Sequence, residues 1–126
     1  MQHDSVETAG ELLIILRHAP HGSSWLREGL DAALVAAAFG RQVTLLFCGE
    51  GVTALVAEQT AGPLGQKGTQ PTLEMLAMYD IDTLLVDQQA LDERGLTAAD
   101  LLLPVRPLAP PQLAAALAAH PLVLNF

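Results

Sequence analysis

The sequence predicts an α/β protein: a three-layer α/β/α sandwich around a mainly parallel sheet of about five strands. Three observations carry this prediction. Short apolar runs such as ELLIILRH (11–18), QVTLLFC (42–48) and DTLLVD (82–87) lack polar alternation, as expected of strands covered on both faces. Helix-like segments alternate with these runs, and strand–helix–strand order calls for crossovers and hence parallel pairing. At 126 residues the chain has room for one sizeable core.

Each element follows in order. Residues 1–10 are polar and acidic and predict a loosely held tail before a single domain over 11–126. ELLIILRH is the first strand. After the turn APHGS, Ser24 is placed to cap a helix on which Trp25, Leu30, Leu34 and Ala38 fall at roughly helical spacing, and Gly40 ends it. QVTLLFC is the second strand, GEG its exit turn and VTALVAEQ a short helix. The glycines and prolines of TAGPLGQKGTQP (60–71) predict a loop. TLEMLAMYD is the next helix, DTLLVD the third strand, and QQALDERGL a helix stopped by Gly95. Prolines in LLLPVRPL limit any strand there to a short edge piece. PPQLAAALAAH opens with prolines in its first turn and finishes at His120, and PLVLNF is the last strand.

Composition narrows the function. Apolar residues reach 51% while charged residues are 16%, against about 25% in a typical domain. A small domain has much surface, so this shortage of charge predicts apolar surface held against another subunit. The net charge of −8 and six scattered basic residues, Arg17, Arg27, Arg41, Lys67, Arg94 and Arg106, argue against direct, backbone-driven nucleic-acid binding. No apolar run approaches the ~20 residues of a membrane span. The N-terminus has no basic segment ahead of an apolar stretch, and Cys48, the single cysteine, has no internal disulfide partner. The expected location is the cytoplasm.

In parallel sheets ligands sit past the carboxyl ends of the strands. If the first two strands are neighbours, this brings His18–Gly22 beside Cys48–Gly51. Three chemistries are open there. PHGSS, directly before a helix, offers backbone N–H groups and hydroxyls to an anion or nucleotide. It lacks the glycine patterns of nucleotide loops, Glu28 opposes an anion, and the alternative is a tight turn with a capped helix. His18, His21 and Cys48 fall one ligand short of a zinc site, so neither metal nor cofactor is expected. Cys48 with a histidine would form a nucleophilic pair, as in a thiol-dependent sulfurtransferase; the alternative is a thiol packed as a small hydrophobe. Arg17-His18-Ala19 is similar to the Arg-His-Gly of histidine phosphatases, but alanine replaces the glycine and the chain is too short for that fold.

The pieces APHG, REGLDA, GEGV after the second strand, YDID and ERGL, in this order, resemble the DsrE/DsrF-like sulfur-relay family in its TusC/DsrF branch. The likeness runs from about Leu12 to Gly95 and continues more loosely beyond. It implies a DsrE-like sandwich serving as one of three similar subunits in a TusBCD- or DsrEFH-type complex. Such complexes pass persulfide sulfur between cysteines, for tRNA 2-thiouridine synthesis or for dissimilatory sulfur oxidation. The implied partners are TusB/DsrH-like and TusD/DsrE-like subunits and, indirectly, a TusA-like carrier and a TusE/DsrC-like acceptor. The family's sulfur-accepting cysteine lies in the TusD/DsrE-type subunit, after the second crossover. Here that stretch reads TQPTLEMLAMYDID, with Met75, Leu76 and Met78 and no thiol. The resemblance therefore implies a non-catalytic structural subunit. His18, His21, Gly22, Ser23, Arg27, Glu28, Asp31 and Glu50 become binding or interface candidates, and Cys48 the sole catalytic candidate. Arg27 and Asp31, four apart on one helix, can pair for a few tenths of a kcal/mol and set registry with a partner.

Overall fold

A computed structural model describes residues 10–56 and 70–126. Five strands, β1 (Leu12–Leu16), β2 (Val43–Phe47), β3 (Thr83–Asp87), β4 (Arg106–Leu108) and β5 (Leu122–Asn125), form one all-parallel sheet in the order β4-β3-β2-β1-β5. Among the described residues four α-helices accompany them: α1 (Trp25–Ala38), α2 (Gln70–Glu74), α3 (Gln88–Glu93) and α4 (Pro110–Ala119). Three short 3₁₀ segments cover Gly49–Leu55, Leu76–Tyr79 and Ala98–Asp100.

The strand order explains the layers. From β1 to β4 the chain moves steadily toward one edge, so right-handed crossovers put the described connecting elements on the same face. The return from β4 to β5 reverses direction and places α4 on the opposite face. Alternation along the strands divides the core to match. Leu12, Ile14, Leu16, Val43, Leu45, Phe47, Leu84 and Val86 pack with α1, α2, α3 and the first two 3₁₀ segments, whereas Leu13, Leu46, Leu85 and Leu108 meet Ala116 of α4.

Several elements differ from expectation. Ser24 occupies the N-cap position of α1 but makes no side-chain cap, because its hydroxyl donates to Glu28 Oε2 at 2.6 Å. The buried stripe is Leu26, Gly29, Leu30 and Ala33, while Trp25 and Ala38 face outward. Gly29 is why: a side chain there would strike Leu16 and the Phe126 ring, so the helix rests on the sheet at this residue. The predicted helix VTALVAEQ is a 3₁₀ segment that starts earlier, at Gly49; Ala57, Glu58 and Gln59 lie outside the described residues. Of the predicted loop 60–71, Gln70 and Pro71 open α2 and the rest lies outside them. TLEMLAMYD divides into α2 and a 3₁₀ turn that ends at Asp80, whose φ is 61°. The predicted ends at Gly40 and Gly95 are observed. After α1, the Gly40 N–H donates to the Ala37 carbonyl at 2.9 Å and the Arg41 N–H to Ala36 at 3.1 Å.

One polar pair is buried in this core. His120, at the end of α4, brings Nδ1 within 2.7 Å of the Ala116 carbonyl and Nε2 within 2.9 Å of Thr44 Oγ1. A carbonyl only accepts, so Nδ1 carries the proton and Nε2 receives the Thr44 hydroxyl.

A sharper constraint lies at the strand ends. The Cys48 N–H donates to the Leu16 carbonyl at 3.0 Å, and the chain folds back so that Gly51 lies against that same carbonyl. A Cβ at Gly51 would overlap it. Gly51→Ala is therefore expected to cost about 2 kcal/mol or more. Urea denaturation of the two proteins measures this as a lowered midpoint at similar slope.

Candidate functional site

Parallel strands deliver their carboxyl ends to one edge of the sheet, and the residues just beyond them form a shared rim. Arg17 follows β1, Cys48 follows β2, and Asp87 closes β3. The order of strands reverses between β1 and β5, and Arg17 spans that point. Its backbone N–H donates to the Phe126 carbonyl at 2.9 Å and its Nε to Asn125 Oδ1 at 2.7 Å. Asp87 caps α3 by accepting the Gln89 N–H at 3.1 Å. Glu50 reaches across to Arg94 at 2.9 Å, and Arg94 also donates to the Ala90 carbonyl at 3.0 Å.

Cys48 lies among these groups, half-buried. Burial pushes its thiol above the ordinary range, the Asp87 carboxylate adds to the rise, and Arg17 counters only part of it. Sulfur nucleophiles and sulfur acceptors work as thiolates. This environment favours the protonated thiol and so works against a nucleophilic role.

The turn after β1 presents a different picture. His18 stacks on Trp25, with ring centroids 5.6 Å apart and planes at 20°. The Nδ1 atoms of His18 and His21 are buried without a hydrogen-bond partner among the described residues. Gly22 has a φ of 95°, and Ser23 is exposed beside it. The Ser24 hydroxyl, expected to face free backbone N–H groups, is committed to Glu28, whose carboxylate sits in the first turn of α1. Negative charge there works against an anion. Arg27 and Asp31 are exposed, and among the described residues no ion pair joins them. Among the described residues, no group of three or more His, Cys, Asp or Glu side chains converges to hold a metal ion.

The structure thus brings Cys48 and Glu50 to one rim and leaves Arg27 and Asp31 on the outer surface of α1. It adds Arg17, Asp87, Arg94 and Asn125, which sequence reasoning missed. A signal for two of them was present: Arg17 and Asp87 terminate predicted strands, where parallel topology concentrates polar groups. Arg94 and Asn125 carried no comparable mark. Gln70–Tyr79, on the connection from β2 to β3, forms α2 and its 3₁₀ continuation, and it displays Met75 and Met78, the latter 80% exposed.

With this geometry in hand, the relatives bear directly on it. The sequence model of the DsrE/DsrF-like family matches residues 11–126. The chain belongs to the DsrE/DsrF-like family. It is 37% identical over 116 residues to a TusC homolog of Vibrio vulnificus, covering 92% of this chain and 98% of that one. It is 36% identical over 113 residues to TusC of Klebsiella pneumoniae, covering 89% and 95%. It is also 34% identical over 96 residues to the intracellular sulfur oxidation protein DsrF of Allochromatium vinosum, covering 76% and 71%. In fold it is similar to the crystal structure of the ychN protein from E. coli, with a TM-score of 0.80 at 24% identity over 93% of this chain and 99% of that one. The α/β class and the five-stranded parallel sheet expected from the sequence are both observed. Among the described residues no helix is long and apolar enough to cross a membrane.

The electrostatics of Cys48 have a measurable consequence. Alkylation by iodoacetamide, followed against pH, should rise at a higher pH than for an unstructured thiol. Asp87→Asn keeps the helix cap but removes the neighbouring charge, so it should shift the profile to lower pH and speed reaction several-fold at a fixed pH. An unchanged profile in that variant contradicts the assignment.

Proposed function

We propose that this chain is a non-catalytic structural subunit of a sulfur-transfer complex of the persulfide-relay kind. The observation that carries the reading is the state of its one thiol: Cys48 is half-buried beside Asp87, with its pKa raised, so it is poorly suited to accept or pass sulfur. The exposed turn after α2 adds support, since it displays methionines and no cysteine. The relatives named TusC and DsrF favour the same role.

In this proposal the partners are TusB/DsrH-like and TusD/DsrE-like subunits, with a TusA-like carrier and a TusE/DsrC-like acceptor acting on the assembly. The proposed location is the cytoplasm, and the chain does not touch nucleic acid itself. Relatives named for each branch leave two processes, tRNA 2-thiouridine synthesis and sulfur oxidation, within its scope. Exposed apolar side chains, Trp25 and Met78 among them, suit contact with other subunits. His18, His21, Gly22, Ser23, Arg27, Glu28, Asp31 and Glu50 are proposed as contact residues rather than chemical ones.

Co-expression with the two sister subunits tests the role. A tagged version of this chain should carry both through affinity purification and gel filtration as one species, and Cys48→Ser should do so equally well. Failure to retain either subunit contradicts the proposal.

A further inference from the structure

Strand β5 is an edge of the sheet, paired with β1 on one side and with none of the described residues on the other. The Leu122 N–H donates to the Glu11 carbonyl at 3.3 Å and the Phe126 N–H to Ile15 at 2.8 Å. Backbone groups alternate in direction along a strand. Leu122, Leu124 and Phe126 therefore face β1, while the N–H and C=O groups of Val123 and Asn125 point outward. Exposed edges are usually blunted by charge, proline or a bulge; Leu-Val-Leu-Asn has none of these. Leu122, Val123 and Leu124 are 56%, 42% and 45% exposed.

The neighbouring helix continues this surface. The register puts Leu122 and Leu124 on the sheet face of Leu12 and Ile14, which α1 covers. There Phe39 is 83% and Val35 57% exposed, and Phe39, Ala36 and Leu122 line a common groove of about 620 Å³.

The geometry points to a second copy of this chain as the occupant, its β5 added antiparallel to the first about a two-fold axis through Leu124. In that register the N–H and C=O of Val123 in each copy meet the C=O and N–H of Asn125 in the other, so all four outward groups of each strand are paired. Centring the axis on Val123 instead sets Asn125 opposite Pro121, which has no N–H to donate. The strand thus complements itself in one register. Val35, Phe39, Leu122, Val123 and Leu124 together expose on the order of 500 Å² per copy. Two-fold symmetry doubles this to about the 1,000 Å² of a specific contact. The same axis brings the α1 helices of the two copies together over the joined sheet. This dimer goes beyond the relay role and does not depend on it; its absence would leave that role standing.

Gel filtration with light scattering on the full chain tests it. The unaltered protein should run as a dimer. Val123→Pro removes an outward N–H without touching the β1 ladder, and it should weaken the dimer by roughly tenfold or more while circular dichroism stays unchanged. If that variant fails to fold, Leu124→Lys should give the same dissociation. In a Cys48→Ser background, Leu124→Cys should form a disulfide-linked dimer under mild oxidation, because facing Cα atoms at such a position lie about 4.5 Å apart. Met78→Cys in that background should not. A chain monomeric at every concentration overturns the inference, as does a dimer indifferent to both edge substitutions. So does an edge that Val123→Pro disables only toward a different subunit.

Discussion

The Leu16 carbonyl at the end of β1 is the constraint on which the site depends. It accepts the Cys48 N–H and is pressed by Gly51, so the exit of β2 is folded down onto the end of β1. Only glycine allows backbone to approach backbone so closely at that point. The consequence is electrostatic as much as steric. The fold-back holds Cys48 half-buried between Arg17 and Asp87 and directs Glu50 toward Arg94. Burial and the Asp87 carboxylate raise the pKa of a thiol held this way, which favours its protonated form over the thiolate used in sulfur chemistry.

Sheet order then determines what the molecule offers to others. Because β1 to β4 progress in one direction, most of the helical cover among the described residues lies on one face, and of these helices α4 crosses the other to deliver β5 to the far edge. A three-residue β4 containing proline closes one edge of the sheet. The other ends in an apolar, uncharged strand beside the exposed flank of α1. The scarcity of charged residues in the composition therefore has a location in the fold.

The fold was legible because its signal is repeated. Each strand is an unbroken apolar run between turn residues, and such runs have one comfortable environment, a sheet covered on both faces. Helix ends at Gly40 and Gly95 were legible for the same local reason. The misreadings share a cause, which is tertiary contact overriding local pattern. Spacing alone placed Trp25 and Ala38 on the buried face of α1, but the approach at Gly29 turned the helix toward Leu26, Leu30 and Ala33. Ser24 had the chemistry of a cap and found a carboxylate four residues away instead. The segment after Cys48 is a 3₁₀ turn from Gly49 rather than an α-helix from Val52, and it carries the close approach of Gly51 to the Leu16 carbonyl. In the site, Cys48 was visible in the sequence, but its pKa is controlled by burial and by Asp87, which lies on a different strand.

A supporting subunit with a quiet thiol accounts for the geometry around Cys48, the exposed methionines on the β2–β3 connection, and the family to which the chain belongs. The most direct measurement is sulfur flux through the reconstituted complex, from a persulfide-loaded carrier to its acceptor, with this subunit present as Cys48→Ser. Flux equal to that of the unaltered complex, and lost when the subunit is omitted, is the result expected of a protein that holds its neighbours in place. Flux abolished by Cys48→Ser in an intact assembly would mean that sulfur travels through this thiol, contrary to the account.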